Sequence, residues 1–191
     1  YAAIDGKDYD DYIVNGFEID AGRFDFGPEK VTRNIHAYSW TGPWDAEILS
    51  DTALKLTNTD TDLGLSLERI FTLYPGKPHI NISMKLKNIS DGQLERYFWS
   101  RTLVKNGGKA FSPLNSESTF PDQWVRYETW NPVLLTSDPD DPGVEIVDSL
   151  FTLIPEIAGN AKYGTDSHSG WMAYGYEGLI FYKTYPSFPD K

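Results

Sequence analysis

Cysteine is absent from all 191 residues, which excludes disulfides, a thiolate nucleophile and thiolate-held zinc. Basic residues are scarce: 17 Lys and Arg stand against 28 Asp and Glu, for a net charge of −11 and a pI near 4.6. No basic stripe is written that could track phosphates, so a nucleic-acid partner is excluded, and an anionic membrane surface is disfavoured on the same ground. Long apolar runs are missing as well. The longest, such as Gly178-Leu179-Ile180-Phe181-Tyr182, is strand-sized, far short of the roughly 18 residues a membrane helix needs. Tyr1 to Tyr12 carry several Asp and no apolar block, so no signal peptide stands there, although one already removed would leave the same record. No window of helical length shows apolar residues at three-four spacing without a Gly or Pro interruption. Internal repeats, phosphate-cradling Gly loops and linkers are also lacking. The expectation is one domain over residues 1–191. Composition is silent on oligomeric state, and a periplasmic or secreted setting is only slightly favoured over a cytoplasmic one.

What remains is strand pattern. In Leu65 to Leu73 the apolar side chains fall mostly on odd positions, and Ile80, Ile82, Met84 and Leu86 alternate with Asn81, Ser83, Lys85 and Lys87. Period two means one face buried and one wet. Tyr74 to Pro78 is a Pro-Gly turn between them, and Asn88 to Gly92 turns the chain again before an extended stretch over Leu94 to Val104. These three segments predict an antiparallel meander. Trp44 to Leu49 and Thr52 to Thr57 read as paired short strands. Val144 to Ile154 reads as a strand, and Gly170 to Tyr176 with Leu179 to Tyr185 as a hairpin around Glu177-Gly178. Between Lys105 and Gly143, five prolines (113, 121, 132, 139 and 142) predict a long loop, and loops of that length are usually functional.

Aromatic residues make up 15%, including six Trp. Residue by residue most should fill a β core, but sugars also pack their apolar C–H faces on such rings. Tyr97, Trp99 and Arg101 share one strand face by the period-two rule, a combination that suits a hydroxyl-rich ring better than a dry core. Arg23 lies among Gly22, Phe24, Asp25 and Phe26, a density that points to a close backbone approach. His36 falls in the polar-aromatic stretch Arg33 to Trp40. His168 sits in a small-residue loop, where Asp166 is placed to orient its imidazole and Trp171 follows at the start of a strand. His79 is expected to be a solvated strand start. The three His lack metal-ligand spacing, so neither metal nor cofactor is expected. The run Ser137 to Gly143 lacks the spaced ligands of a calcium loop and reads as a solvated turn.

The order of these segments resembles the galactose-mutarotase-like superfamily, the supersandwich β fold that includes aldose 1-epimerases. Gly22-Arg23-Phe24 is similar to its Gly-Arg-aromatic stretch, and Asn34-Ile35-His36 to its Asn-x-Leu-His stretch. Leu54-Lys55-Leu56, the Gly64 and Ile80 strands and Asn88-Ile89-Ser90-Asp91 follow in the family's order, over roughly residues 16–105. Trp99-Ser100, Gly170 to Tyr174 and Phe181-Tyr182-Lys183 resemble an uncharacterised branch of that superfamily. The resemblance implies an all-β antiparallel supersandwich, incomplete at its C-terminal end, that binds a saccharide on a concave sheet. Arg23, Trp40, Trp99, Arg101, Asp166 and Trp171 would contact the ligand, with His36 and His168 as candidate acid and base. Where an epimerase carries its second His this chain has Glu95-Arg96-Tyr97-Phe98-Trp99, and its catalytic Glu would fall beyond Lys191. Whether the chain is an enzyme therefore stays open among a binding domain, an aldose 1-epimerase and an ancillary module of a polysaccharide-degrading protein.

Overall fold

A computed structural model of the protein describes residues 22–27, 42–130, 133–159 and 161–188. The described fold is all-β, every strand pair is antiparallel, and the only helix is a four-residue turn. The chain groups into two compact units, Tyr1–Leu103 and Val104–Lys191, each taken below by itself.

In the first unit, β1 (Gly22–Gly27) pairs with β6 (Tyr97–Thr102). The strands β2 (Asp45–Ser50), β3 (Ala53–Asp60), β4 (Leu65–Leu73) and β5 (Ile80–Asn88) form a four-stranded sheet in chain order. Its register sets Leu67 opposite Asn58 and Leu86, and Phe71 opposite Leu54 and Ile82, so the apolar positions of three strands line one face. The other face carries charge, with Lys55 paired to Glu47 across β2 and β3. The core lies at one end of the apolar face, where Phe26 of β1 meets Leu65 and Leu67, all three at most 1% exposed. Trp44, Met84, Leu86 and Leu94 pack around them. At the other end Ile48 is 82% exposed, so the alternation continues past the part that is covered.

Gly64 makes the β3–β4 turn possible. Its φ of +66° suits glycine, and a Cβ there would collide with Ser90. Its carbonyl accepts the Ile89 N–H at 2.7 Å, which ties this turn to the one after β5.

The expected meander closes differently. Asn88 donates to the Gly92 carbonyl at 2.6 Å, and its Oδ1 accepts from the N–H and hydroxyl of Ser90. That side-chain turn directs the chain away from β5, and β6 pairs with β1. Period-two patterning finds a strand but cannot name its neighbour.

In the second unit, β7 (Lys109–Pro113), β8 (Val125–Trp130) and β9 (Val133–Thr136) occupy the stretch expected to be a long loop. Proline does not prevent this, because Pro113 is the last residue of its strand, while Pro121 and Pro139 fall outside any ladder. The segment expected as one strand folds as the hairpin β10 (Val144–Val147) and β11 (Leu150–Leu153), with Asp148 and Ser149 both at positive φ in the turn. After the turn α1 (Pro155–Ala158) come β12 (Lys162–Gly164), β13 (Trp171–Tyr176) and β14 (Leu179–Thr184). The β13–β14 hairpin turns at Glu177 and Gly178 as expected. The sheets run β10-β11-β7-β13-β14 and β12-β8-β9. Trp124, 2% exposed, packs at a tilt against Phe151, with ring centres 5.6 Å apart, and against Tyr163, at 5.9 Å. Tyr174, also buried, donates to the Lys105 carbonyl and accepts the Gly108 N–H at 2.8 Å. Among the described residues β14 is the outermost strand of its sheet, with Leu179 and Ile180 each 73% exposed. Among the described residues no helix is long and apolar enough to cross a membrane.

Leu67→Ala is expected to lower stability by about 2–5 kcal/mol, and Ile48→Ala by no more than about 0.5 kcal/mol, in urea unfolding. Equal costs at the two positions would mean the covered end of the face has been misplaced.

Candidate functional site

The ribbon of β1 and β6 brings together three of the residues singled out in the sequence. Its register pairs Arg23 with Arg101, Asp25 with Trp99, and Gly27 with Tyr97. Phe26 and Phe98 form the alternate pair, and Phe26 is fully buried in the core, so positions 97, 99 and 101 lie on the ribbon's opposite face. On that face the Arg101 guanidinium carbon stands 4.9 Å from the centre of the Trp99 ring, within range of a cation–π contact. Both residues are partly buried, whereas Tyr97 is 55% exposed. Gly27, opposite Tyr97, has no side chain with which to cover the phenol.

Tyr97 donates its hydroxyl to Glu95 Oε1 at 2.9 Å. That hydrogen bond, and then the charge of the carboxylate, raise the phenol's pKa above its ordinary 10.0. The result is a strip of phenol, indole and guanidinium with a carboxylate at one end. Such a strip can lie against a flat ring and exchange hydrogen bonds with hydroxyl groups.

The remaining expected site residues are carried by other parts of the chain. His36 and Trp40 lie outside the described residues. Asp166, His168 and Trp171 belong to the second unit. The expected pairing of Asp166 with the His168 imidazole is not made. Asp166 Oδ2 accepts the Ser118 hydroxyl at 2.9 Å and the Thr119 N–H at 3.3 Å, while its backbone carbonyl accepts Asn115 Nδ2 at 3.3 Å. This Asp braces the loop over residues 115–119 to the strand connection that carries it, and among the described residues its buried Oδ1 has no partner. His168 is exposed and makes no hydrogen bond or ion pair among the described residues. Trp171, at the start of β13, is opposite Thr184, and its carbonyl accepts the Tyr185 hydroxyl at 3.5 Å. His79 is exposed and packs edge-on against Tyr74 at 5.0 Å.

The second unit also holds a polar centre that the sequence did not single out. Asp141, only 5% exposed, sits in the acidic run expected to be a solvated turn. Its carboxylate accepts the Gly143 N–H and the Tyr163 hydroxyl, each at 2.8 Å, and Arg126 Nη1 at 3.2 Å. Burial by itself would raise the pKa of this carboxyl. The Gly143, Tyr163 and Arg126 contacts together outweigh burial and hold it below its ordinary 3.8. The Tyr163 phenol is pushed up to about 12, first by burial and then by its bond to Asp141. The side-chain partners of Asp141 lie 15 and 22 residues away in sequence, so its residue type alone does not separate Asp141 from its exposed neighbours Asp138 and Asp140. Beside this centre, Asp122, Trp124, Pro139, Val144 and Ile146 line an open hollow of about 390 Å³. The Asp122 carboxylate there accepts the Ser137 hydroxyl. Among the described residues no three His, Asp or Glu side chains gather as a metal-ligand set.

Because folding lowers the pKa of Asp141, its stabilising contribution is present above the unfolded value near 3.8 and fades as pH falls through the folded one. Asp141→Ala is expected to cost about 1–3 kcal/mol at neutral pH, measured by thermal melting. That deficit should hold constant from about pH 5 to 9 and shrink only in the acid range below the ordinary carboxylate value. A deficit that grows as pH falls through about 6 would mean that folding raises this pKa. Tyr163 has the opposite sign: its contribution is whole below its ordinary 10.0 and is lost as pH rises through about 12. Tyr163→Phe should therefore flatten the alkaline limb of the melting curve.

Comparison with profiles of known protein families, with curated proteins and with solved structures returned no match.

Proposed function

We propose that the chain is a carbohydrate-binding, mutarotase-like β domain that takes its saccharide on the Tyr97–Trp99–Arg101 face of the β1–β6 ribbon. The observation that carries this reading is the Arg101 guanidinium over the Trp99 ring, with the half-exposed Tyr97 on the same strand face. A sugar ring offers apolar C–H faces to the aromatic groups and hydroxyl oxygens to the guanidinium fork. The stacked Arg and Trp hold each other in place, so less side-chain freedom is lost on binding. The motif order supports the mutarotase-like part of the reading. No catalytic step is proposed for this face. His168 lies in the other unit, and Tyr97 has its hydroxyl turned to Glu95.

Titration calorimetry against mono- and oligosaccharides should give dissociation constants of about 1 mM, equivalent to about −4 kcal/mol. Trp99→Ala and Arg101→Gln should each weaken binding about tenfold with the far-ultraviolet circular dichroism unchanged. Absence of heat across the whole panel at millimolar ligand would remove the proposal's support.

A further inference from the structure

The hollow of the second unit takes no part in the β1–β6 strip, which belongs to the first. Val144 and Ile146 alternate on one face of β10, while Glu145 between them faces the other way and pairs with Lys109 at 2.8 Å. Pro139 adds a third aliphatic wall. The deeply buried Trp124, packed against Phe151 and Tyr163, makes a rigid back. Ile146 remains 48% exposed and Pro139 is exposed too, so the aliphatic walls are open to an incoming group.

Among the lining residues Asp122 carries the charge. Gln123, at a φ of 63° that residues other than glycine rarely adopt, stands between Asp122 and Trp124, and both of these neighbours line the space. Asp122 Oδ2 accepts the Ser137 hydroxyl, and among the described residues this carboxylate has no ion pair. Asp138 and Asp140, exposed on either side of Pro139, have none there either. The Arg126 guanidinium is committed to Asp141 and Glu128, and Lys109 to Glu145. The hollow is therefore apolar on its sides, anionic at one point, and flanked by further negative charge.

We infer that this hollow binds a small aliphatic amine, a primary ammonium group on a methylene stem. The site is separate from the saccharide strip and does not depend on that reading. An ammonium group is a compact charge with three donors, so a single free carboxylate oxygen is enough to receive it. A guanidinium fork takes two carboxylate oxygens at once, and here the Ser137 hydroxyl already holds one of them. The stem lies along Pro139, Val144 and Ile146, as a lysine stem covers apolar surface while its charged head stays at a polar point. A neutral chain of the same length would gain the wall contacts and leave the carboxylate to water. The volume of about 390 Å³ falls at the lower end of the range of small-molecule sites. That size favours a free amine over a peptide, which must also seat its backbone.

The test is a titration of the full chain with n-pentylamine at neutral pH, followed through the amide NMR signals of Asp122, Val144 and Ile146. n-Pentanol supplies the same stem without charge, and methylammonium supplies the charge without the stem. N-acetyl-lysine-N-methylamide presents the group as a peptide would. Pentylamine should bind with a dissociation constant of about 1 mM, at least about tenfold more tightly than pentanol or methylammonium. Asp122→Asn should abolish its advantage over pentanol, and Ile146→Ser should cut its advantage over methylammonium about threefold. No shift at millimolar pentylamine overturns the inference. Methylammonium binding equally well would show only attraction to an acidic surface, and pentanol binding equally well only an apolar crevice; either overturns it. The lysine amide binding about tenfold more tightly than pentylamine would assign the hollow to a protein partner and overturn it as well. If Asp122→Asn fails to fold, the ranking of the ligands on the native chain decides the outcome.

Discussion

Which residues of β6 share the face opposite Phe26 is decided by one packing contact on its partner strand. Phe26 is fully buried against Leu65 and Leu67, and a strand can bury only one of its two faces there. With Phe26 directed into the core, the pairing of β1 with β6 leaves Tyr97, Trp99 and Arg101 on the far side. Slipping the register by a single residue would exchange the two faces and bring a guanidinium to the hydrophobic cluster. The chemistry of the strip therefore depends on a phenylalanine that never touches it. The same cluster anchors the sheet by its Leu65 and Leu67 end, where Gly64 lets two turns meet.

The second unit is held together in another way. Few of its aliphatic side chains are deeply buried, and its interior is built from the rings of Trp124, Phe151, Tyr163 and Tyr174. Aromatic interiors bring polar atoms with them, and those atoms need partners when buried. Tyr174 finds the backbone of Lys105 and Gly108, and Tyr163 finds Asp141. Asp141 in turn gathers Arg126 of β8 and the Gly143 N–H just before β10, so one carboxylate joins segments that a purely apolar core would leave to shape alone.

Much of the strand content was legible in the sequence, because alternation is a local property. The β4 and β5 strands, the β2–β3 pair and the β13–β14 hairpin fall where period two and turn residues put them. Pairing partners were not legible. The strand over 97–102 was visible, but its union with residues 22–27 spans more than seventy positions, and the hydrogen bonds of Asn88 that redirect the chain leave no period to detect. Proline misled the reading of residues 105–143, since a ladder excludes proline from its interior but not from its ends. The facial grouping of Tyr97, Trp99 and Arg101 was readable for the same local reason as the strands. The burial of Asp141 was not, because its environment is assembled from afar.

Among the described residues β14 is the last strand of its sheet, and it exposes a leucine and an isoleucine. The outermost strand of a sheet can act as a template for an extended peptide, and proteins commonly shield such a strand with a covering segment or local charge. Here the overall acidity offers a different safeguard. A molecule carrying eleven excess negative charges repels its own copies before their edges come within reach, so long-range repulsion can do the work that a physical cap does at contact.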